Sequence, residues 1–186
     1  MPVPTIAVFV GSLRKKSCNR RLALALEKLA GDRARFTYVR IDDLPLYNQD
    51  FDGSYPAQGT RLKDQVRGAD AVLFVTPEYN RSVPGVLKNA IDIGSRPYGD
   101  SAFGGKPAAV IGASIGQIGT AVAQQHLRNS LAFLDMHVLG QPEAFIHFKD
   151  ELIGADGTIH NEGTHKFLQG YVDRFLQLIA VHAKGD

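Results

Sequence analysis

The sequence predicts a doubly wound α/β fold: three layers (α/β/α), with a five-stranded parallel sheet in the order 2-1-3-4-5 between two layers of helices. Two observations carry this. Apolar runs without alternation recur along the chain, at residues 5–10 (TIAVFV), 69–76 (ADAVLFVT) and 106–112 (KPAAVIG). A run apolar at every position suits a strand buried on both faces, as in a parallel sheet. Segments with helical periodicity lie between these runs, and such alternation implies right-handed crossovers. Five strands fit this order better than a six-stranded dinucleotide fold.

Each element has a local reason. The first strand ends at Gly11, and a polar loop leads to a helix over residues 18–30. Leu22, Leu26 and Leu29 form its buried stripe, with Ser17 as N-cap and Gly31 as the residue that stops it. A second strand is expected over 35–41. A long connection with two prolines and a glycine follows, and loops of that length are usually functional or mobile. Residues 58–68 read as a helix before the strand at 69–76. A turn-rich loop over 77–84 precedes a helix over 85–94. After the strand at 106–112 comes the loop ASIGQIG, then a helix through Leu127, Leu131 and Leu134. Residues 136–139 are expected as the last strand. A long helix over 162–183 closes the chain, with Phe167, Tyr171, Phe175 and Leu178 on one face.

Composition narrows the class. The chain has 186 residues, 44% hydrophobic and 22% charged, a usage that fits one globular domain over 1–186 and excludes disorder. A net charge of +2 does not favour a nucleic-acid partner. The charge is uneven, however. Residues 1–40 hold nine Lys or Arg against two acids, while the rest of the chain is slightly acidic. That local surplus suggests a small anionic partner. One cysteine permits no internal disulfide and fits a cytoplasmic setting. The first apolar run is too short to span a bilayer, and basic residues follow it rather than precede it, unlike a signal peptide. No membrane partner is expected.

Three loops lie beyond the carboxyl ends of strands, where ligands bind in such sheets. The first holds Gly11, Ser12, Leu13, Arg14, Lys15, Lys16, Ser17, Cys18 and Asn19. A helix start there offers free N–H groups and a positive dipole end. Short hydroxyl and amide side chains and the Arg14 fork add donors. This is the chemistry of a phosphate monoester site. It is neither a Walker A loop nor a Gly-x-Gly-x-x-Gly turn, so a mononucleotide is preferred over a dinucleotide. The second loop, Pro77-Glu78-Tyr79-Asn80-Arg81-Ser82-Val83-Pro84, is stiffened by a proline at each end and offers Tyr79 for stacking. The third, around Ser114, contains small residues that permit close backbone approach.

These motifs, with Gly85 and Leu87-Lys88-Asn89-Ala90-Ile91-Asp92, closely resemble the flavodoxin-like NAD(P)H-dependent FMN reductases, and most of all their bacterial quinone and chromate reductase branch. The resemblance runs from Thr5 to the last helix. It implies bound FMN, with NADPH or NADH as co-substrate. It places Ser12, Arg14, Ser17 and Asn19 at the FMN phosphate, with Leu13 and Cys18 on the same loop. Pro77, Glu78, Tyr79 and Asn80 fall beside the isoalloxazine ring, and Ser114 falls at a further flavin contact. Arg81 stands where relatives often carry an aromatic residue or His. The implied acceptors are quinones, with chromate, azo compounds and free flavin as further ones. The implied assembly is a homodimer or homotetramer.

No catalytic acid or base is expected, because the difficult chemistry belongs to the cofactor. The six histidines form no metal pattern, so no metal site is expected. Cys18 reads as a packing residue rather than a redox thiol. A flavodoxin-type electron carrier is the alternative, although its usual acidic surface differs from this basic loop.

Overall fold

The computed structural model describes residues 2–183. The reading of 1–186 as one domain extends to Met1 and residues 184–186, which lie outside the described residues. The elements are β1 (Thr5–Val10), α1 (Cys18–Ala30), β2 (Arg35–Tyr38), α2 (Ala57–Arg67), β3 (Ala71–Val75), α3 (Gly85–Gly94), β4 (Pro107–Ser114), α4 (Ala121–Phe133), β5 (His137–Val138), β6 (Phe145–His147) and α5 (Glu162–His182). The path β2-β1-β3-β4-β5 is parallel throughout, in the order the sequence predicts.

The fifth strand position differs from expectation, because it is broken in two. β5 pairs with Pro107 and Ala108, whereas the unforeseen β6 pairs with Gly112 to Ser114 farther along β4. The intervening residues include Gly140 and Pro142, which interrupt a strand pattern. Helix α4 holds both sides of the break. Arg128 Nη1 donates to Leu139 O at 2.7 Å, and Gln124 Nε2 donates to Ala144 O at 2.9 Å.

Strand alternation divides the core between the two faces of the sheet. Ile6 and Val8 pack with Leu22, Leu26, Tyr171 and Phe175, from α1 and α5. Ala7 and Phe9 pack with Leu62, Leu87, Leu127 and Leu131, from α2, α3 and α4. Ser17 caps α1, its Oγ accepting from Arg20 N at 3.2 Å, and Gly31 ends the helix at φ 54°. The buried stripe of α5 is rotated from the expected face. It comprises Leu168, Tyr171, Val172, Phe175 and Ile179, while Phe167 is exposed and Leu178 only half-buried.

Tyr171 is fully buried, and its hydroxyl has no hydrogen-bond partner among the described residues. Burial accordingly pushes its pKa above the usual tyrosine value. An unpartnered buried hydroxyl adds a desolvation cost with no bond to offset it. Tyr171→Phe is therefore expected to leave the urea midpoint unchanged or raise it. A clear drop would show that the hydroxyl has a partner, such as a buried water.

Candidate functional site at the carboxyl edge of the sheet

Parallel strands bring the loops after β1, β3 and β4 to one end of the sheet. Their bases are packed closely. Gly11 N donates to Val75 O at 2.9 Å, and a Cβ on Gly11 would lie 3.0 Å from Leu87 and 3.1 Å from Pro77. Gly112 is tighter still, since a Cβ there would meet Thr76 O and Thr120 Oγ1 at 2.1 Å each. Glycine at these two positions lets the three loops converge.

Two of the helix starts at this edge differ in one decisive respect. At α4 the carboxylate of Glu78 reaches across from the β3 loop. Its Oε2 accepts from Val122 N at 3.0 Å and Ala123 N at 3.1 Å. The Glu78 side chain is only 8% exposed, and Thr120 makes no side-chain cap of its own. The anion-binding capacity of α4 is thus already used by the protein. At α1 the situation is reversed. Among the described residues, no backbone N–H from Ser12 to Ser17 donates to a protein acceptor. A run of free amides at a helix start is a ready anion site.

The side chains of the first loop divide between support and approach. Asn19 is buried and fully committed: Nδ2 donates to Ala113 O at 2.8 Å, and Oδ1 accepts from Ala113 N at 2.9 Å. It locks α1 to β4, so its contribution to an anion is limited to its backbone N–H. Ser17 is buried at the cap. Ser12 is half-buried and makes no side-chain hydrogen bond with another described residue. Arg14 is exposed and folds over the loop, donating from Nη2 to Lys16 O at 2.9 Å. Leu13, Lys15 and Lys16 are exposed.

A helix start favours a thiolate, but at Cys18 burial outweighs it. Burial pushes the thiol above its ordinary pKa. A backbone hydrogen bond at Asn19 and the charges of Arg14 and Arg21 oppose that rise without cancelling it. Its Sγ faces Ala113 O at 3.6 Å. Cys18 is half-buried and packs the base of the loop.

The β3 loop is a tight hairpin. Tyr79 N donates to Ser82 O at 3.1 Å and Ser82 N to Tyr79 O at 3.0 Å. Pro77 is buried below the hairpin, while Tyr79, Asn80 and Arg81 stand exposed at its tip. Glu78 turns one carboxylate oxygen, Oε2, to α4, while Oε1 lies 3.3 Å from Arg81 Nη1. Ser114 is half-buried and its Oγ accepts from Gly116 N at 3.1 Å. Exposed apolar side chains surround this edge. Leu13, Leu46, Tyr79, Ile115 and Ile118 come from four successive strand–helix loops. Of these, Leu46, Ile115 and Ile118 are not singled out by the sequence motifs. The mark that identifies them is a large apolar residue in a loop. Leu46 is presented by Asn89, whose side chain binds Pro45 O at 2.9 Å and Tyr47 N at 2.8 Å.

A polar cradle beside a flat, apolar-rimmed platform suits a phosphate-bearing heterocycle. The family model described as NADPH-dependent FMN reductase matches residues 4–151. The chain belongs to the NADPH-dependent FMN reductase family. It is 52% identical over 170 residues to a 2-hydroxy-1,4-benzoquinone reductase of a Burkholderia species, covering 91% of this chain and 93% of that protein. It is 50% identical over 181 residues to a quinone reductase of Pseudomonas putida, covering 97% of each. Among solved structures it is similar to FerB, a flavoenzyme NAD(P)H:(acceptor) oxidoreductase from Paracoccus denitrificans. The TM-score is 0.94 at 50% identity, covering 97% of this chain and 99% of that one. This family's fold is the flavodoxin-like one expected from the sequence.

Two outcomes test this geometry. Glu78→Ala leaves two amides of α4 uncapped and is expected to lower stability in urea by about 1–2 kcal/mol, with Glu78→Gln losing less. Equal stability of wild type and Glu78→Ala would show the cap to be idle. The raised pKa of Cys18 means less thiolate at neutral pH, so iodoacetamide should alkylate it more slowly at pH 7.5 than it alkylates free cysteine. Faster alkylation would contradict the burial effect.

Proposed function

We propose that the chain is an FMN-dependent NAD(P)H oxidoreductase that reduces quinones. Family membership supports this, as do the quinone reductase and NAD(P)H:acceptor oxidoreductase activities of relatives at about half identity over nearly the whole chain. The observation that carries the assignment of residues is the contrast between the two helix starts. The first amides of α4 are taken by Glu78, and those of the loop leading into α1, from Ser12 to Ser17, have no acceptor among the described residues.

The donor set at the first loop fits an FMN phosphate. Backbone amides from 12 to 19, the hydroxyl of Ser12 and the Arg14 guanidinium would hold the dianion, with Ser17 and Asn19 shaping the loop beneath. Pro77 and the backbone of Glu78 to Asn80 would border the isoalloxazine ring. Tyr79 would stack near it, and Ser114 would close the far side. Arg81 and Leu13 would lie at the rim, with Cys18 as packing. The chemistry supplied by bound FMN is acceptance of a hydride from a reduced nicotinamide and its delivery to an acceptor. The protein's part is to fix the ring, exclude water from one face and leave the other open. An apolar rim of Leu46, Ile115 and Ile118 favours flat, apolar acceptors such as benzoquinones, which need area more than specific hydrogen bonds. The sequence resemblance extends the proposed acceptors to chromate, azo compounds and free flavin.

We place subunit contact on the outer faces of α3 and α4. An open groove of about 260 Å³ runs between them, lined by Ile91, Phe133 and Leu134 among others, and Phe133 is 76% exposed. A second copy covering this face would give a homodimer, and a further pairing a homotetramer. Among the described residues no helix is long and apolar enough to cross a membrane. The single cysteine supports a cytoplasmic setting, the length and composition support one domain, and the net charge of +2 supports no nucleic-acid partner.

The purified protein is expected to be yellow. Anaerobic NADPH or NADH should bleach it, and benzoquinone should restore the colour. A yellow protein that neither nicotinamide bleaches would instead be an electron carrier. Arg14→Ala is expected to raise the FMN dissociation constant by about tenfold, as loss of one charge-assisted phosphate contact does. An unchanged constant would remove Arg14 from the phosphate site.

A further inference from the structure

We propose, building on the assignment of the chain as an NAD(P)H oxidoreductase, that Arg81 binds a phosphate of the nicotinamide dinucleotide reductant. The starting point is the backbone of the β3 loop. Tyr79 and Ser82 exchange both of their hydrogen bonds, closing a two-residue turn. Asn80 has φ 51° and Arg81 has φ 61°. Two successive left-handed residues define a type I′ turn, whose preferred sequence is Asn-Gly. Asn80 obeys that preference. Arg81 does not, and a Cβ in this conformation is strained.

Nothing among the described residues offsets that strain. The Arg81 side chain is 65% exposed, and its one ionic contact is with Glu78 Oε1 at 3.3 Å. Ion pairs with so exposed a partner contribute little. Nor does Glu78 depend on it for its capping role, because Oε2, the other oxygen, receives both amides of α4. Strained residues that repay nothing locally concentrate at ligand sites.

The surroundings specify the ligand. Arg81 is a permanently charged planar fork at the tip of the loop that borders the proposed flavin ring, two residues from the exposed Tyr79. A reductant that brings its nicotinamide to that ring must carry its phosphates away over the rim, where solvent-facing cations can meet them. The flavin's own phosphate is assigned to a different loop, at the start of α1. The ligand is thus a phosphate group of the second substrate. Two groups share that chemistry: the diphosphate common to NADH and NADPH, and the 2′-phosphate found only in NADPH.

The test uses FMN-loaded wild type and Arg81→Gly. Glycine suits the left-handed position, so the thermal midpoint should hold or rise. A role in bracing Glu78 would lower it instead. With benzoquinone saturating, KM for NADPH should rise about tenfold while kcat stays within about twofold. Added salt should raise KM in the wild type and have less effect in the variant. Calorimetric titration with adenosine 2′,5′-bisphosphate and with ADP locates the phosphate. Weakening of both, together with a higher KM for NADH, assigns the diphosphate. Weakening of the bisphosphate alone assigns the 2′-phosphate. Unchanged KM for both nicotinamides and unchanged binding of both fragments would overturn the proposal. So would a changed mass by light scattering with those constants intact, since Arg81 would then meet a second copy of the chain. A wild type that neither nicotinamide reduces would instead sink the underlying assignment.

Discussion

The functional edge of this protein depends on where one buried carboxylate goes. Glu78 leaves the loop after β3 and accepts two hydrogen bonds from the first turn of α4. Three consequences follow from that placement. The β3 loop is tied to the first turn of α4, because the cap spans them. The positive end of the α4 dipole is neutralised by the protein itself. The start of α1, with the free amides of the loop leading into it, is left available for an external anion. Its basic surroundings, with Arg14, Lys15, Lys16, Arg20 and Arg21 within ten residues, reinforce that choice.

The rest of the architecture serves to hold the α1 loop in place without blocking it. Asn19 spends its whole amide on Ala113, fixing α1 against β4 from below. Ser17 closes the first turn, and Cys18 fills the space beneath, its thiol pushed above the ordinary pKa by burial. Gly11 and Gly112 allow three loop bases to meet within van der Waals distance. Polar groups that face inward are thus consumed by the fold, and those that face outward remain free. In the proposed site, this division leaves polar donors at one end and an apolar platform at the other.

Much of this was legible in the sequence, for identifiable reasons. Thr5–Val10 and Gly85–Gly94 coincide with their expected bounds, and α1 begins and ends where Ser17 and Gly31 predict. Strands apolar at every position and caps at fixed offsets are local signals. The misses are long-range. The partners of Glu78 and of Asn19 lie 44 and 94 residues away, so nothing local distinguishes a capping carboxylate or a strand lock from a ligand contact. β6 has only three residues and follows a Gly–Pro interruption, which leaves it without a strand pattern of its own. The α5 stripe is ambiguous in the sequence because two neighbouring sets of apolar residues both satisfy the helical period, and only packing against α1 and β4 selects Leu168 over Phe167. The left-handed Arg81 gave no sequence signal, since arginine is not a turn residue.

The central claim is that a phosphate dianion at the start of α1 anchors the cofactor. Its most direct measurement compares FMN with riboflavin, which lacks only the phosphate, in titrations of the flavin-free protein. The account predicts that FMN binds at least about a hundredfold more tightly, the effect of two or more charge-assisted contacts, with the difference shrinking as salt is raised. Equal affinities for FMN and riboflavin would contradict it.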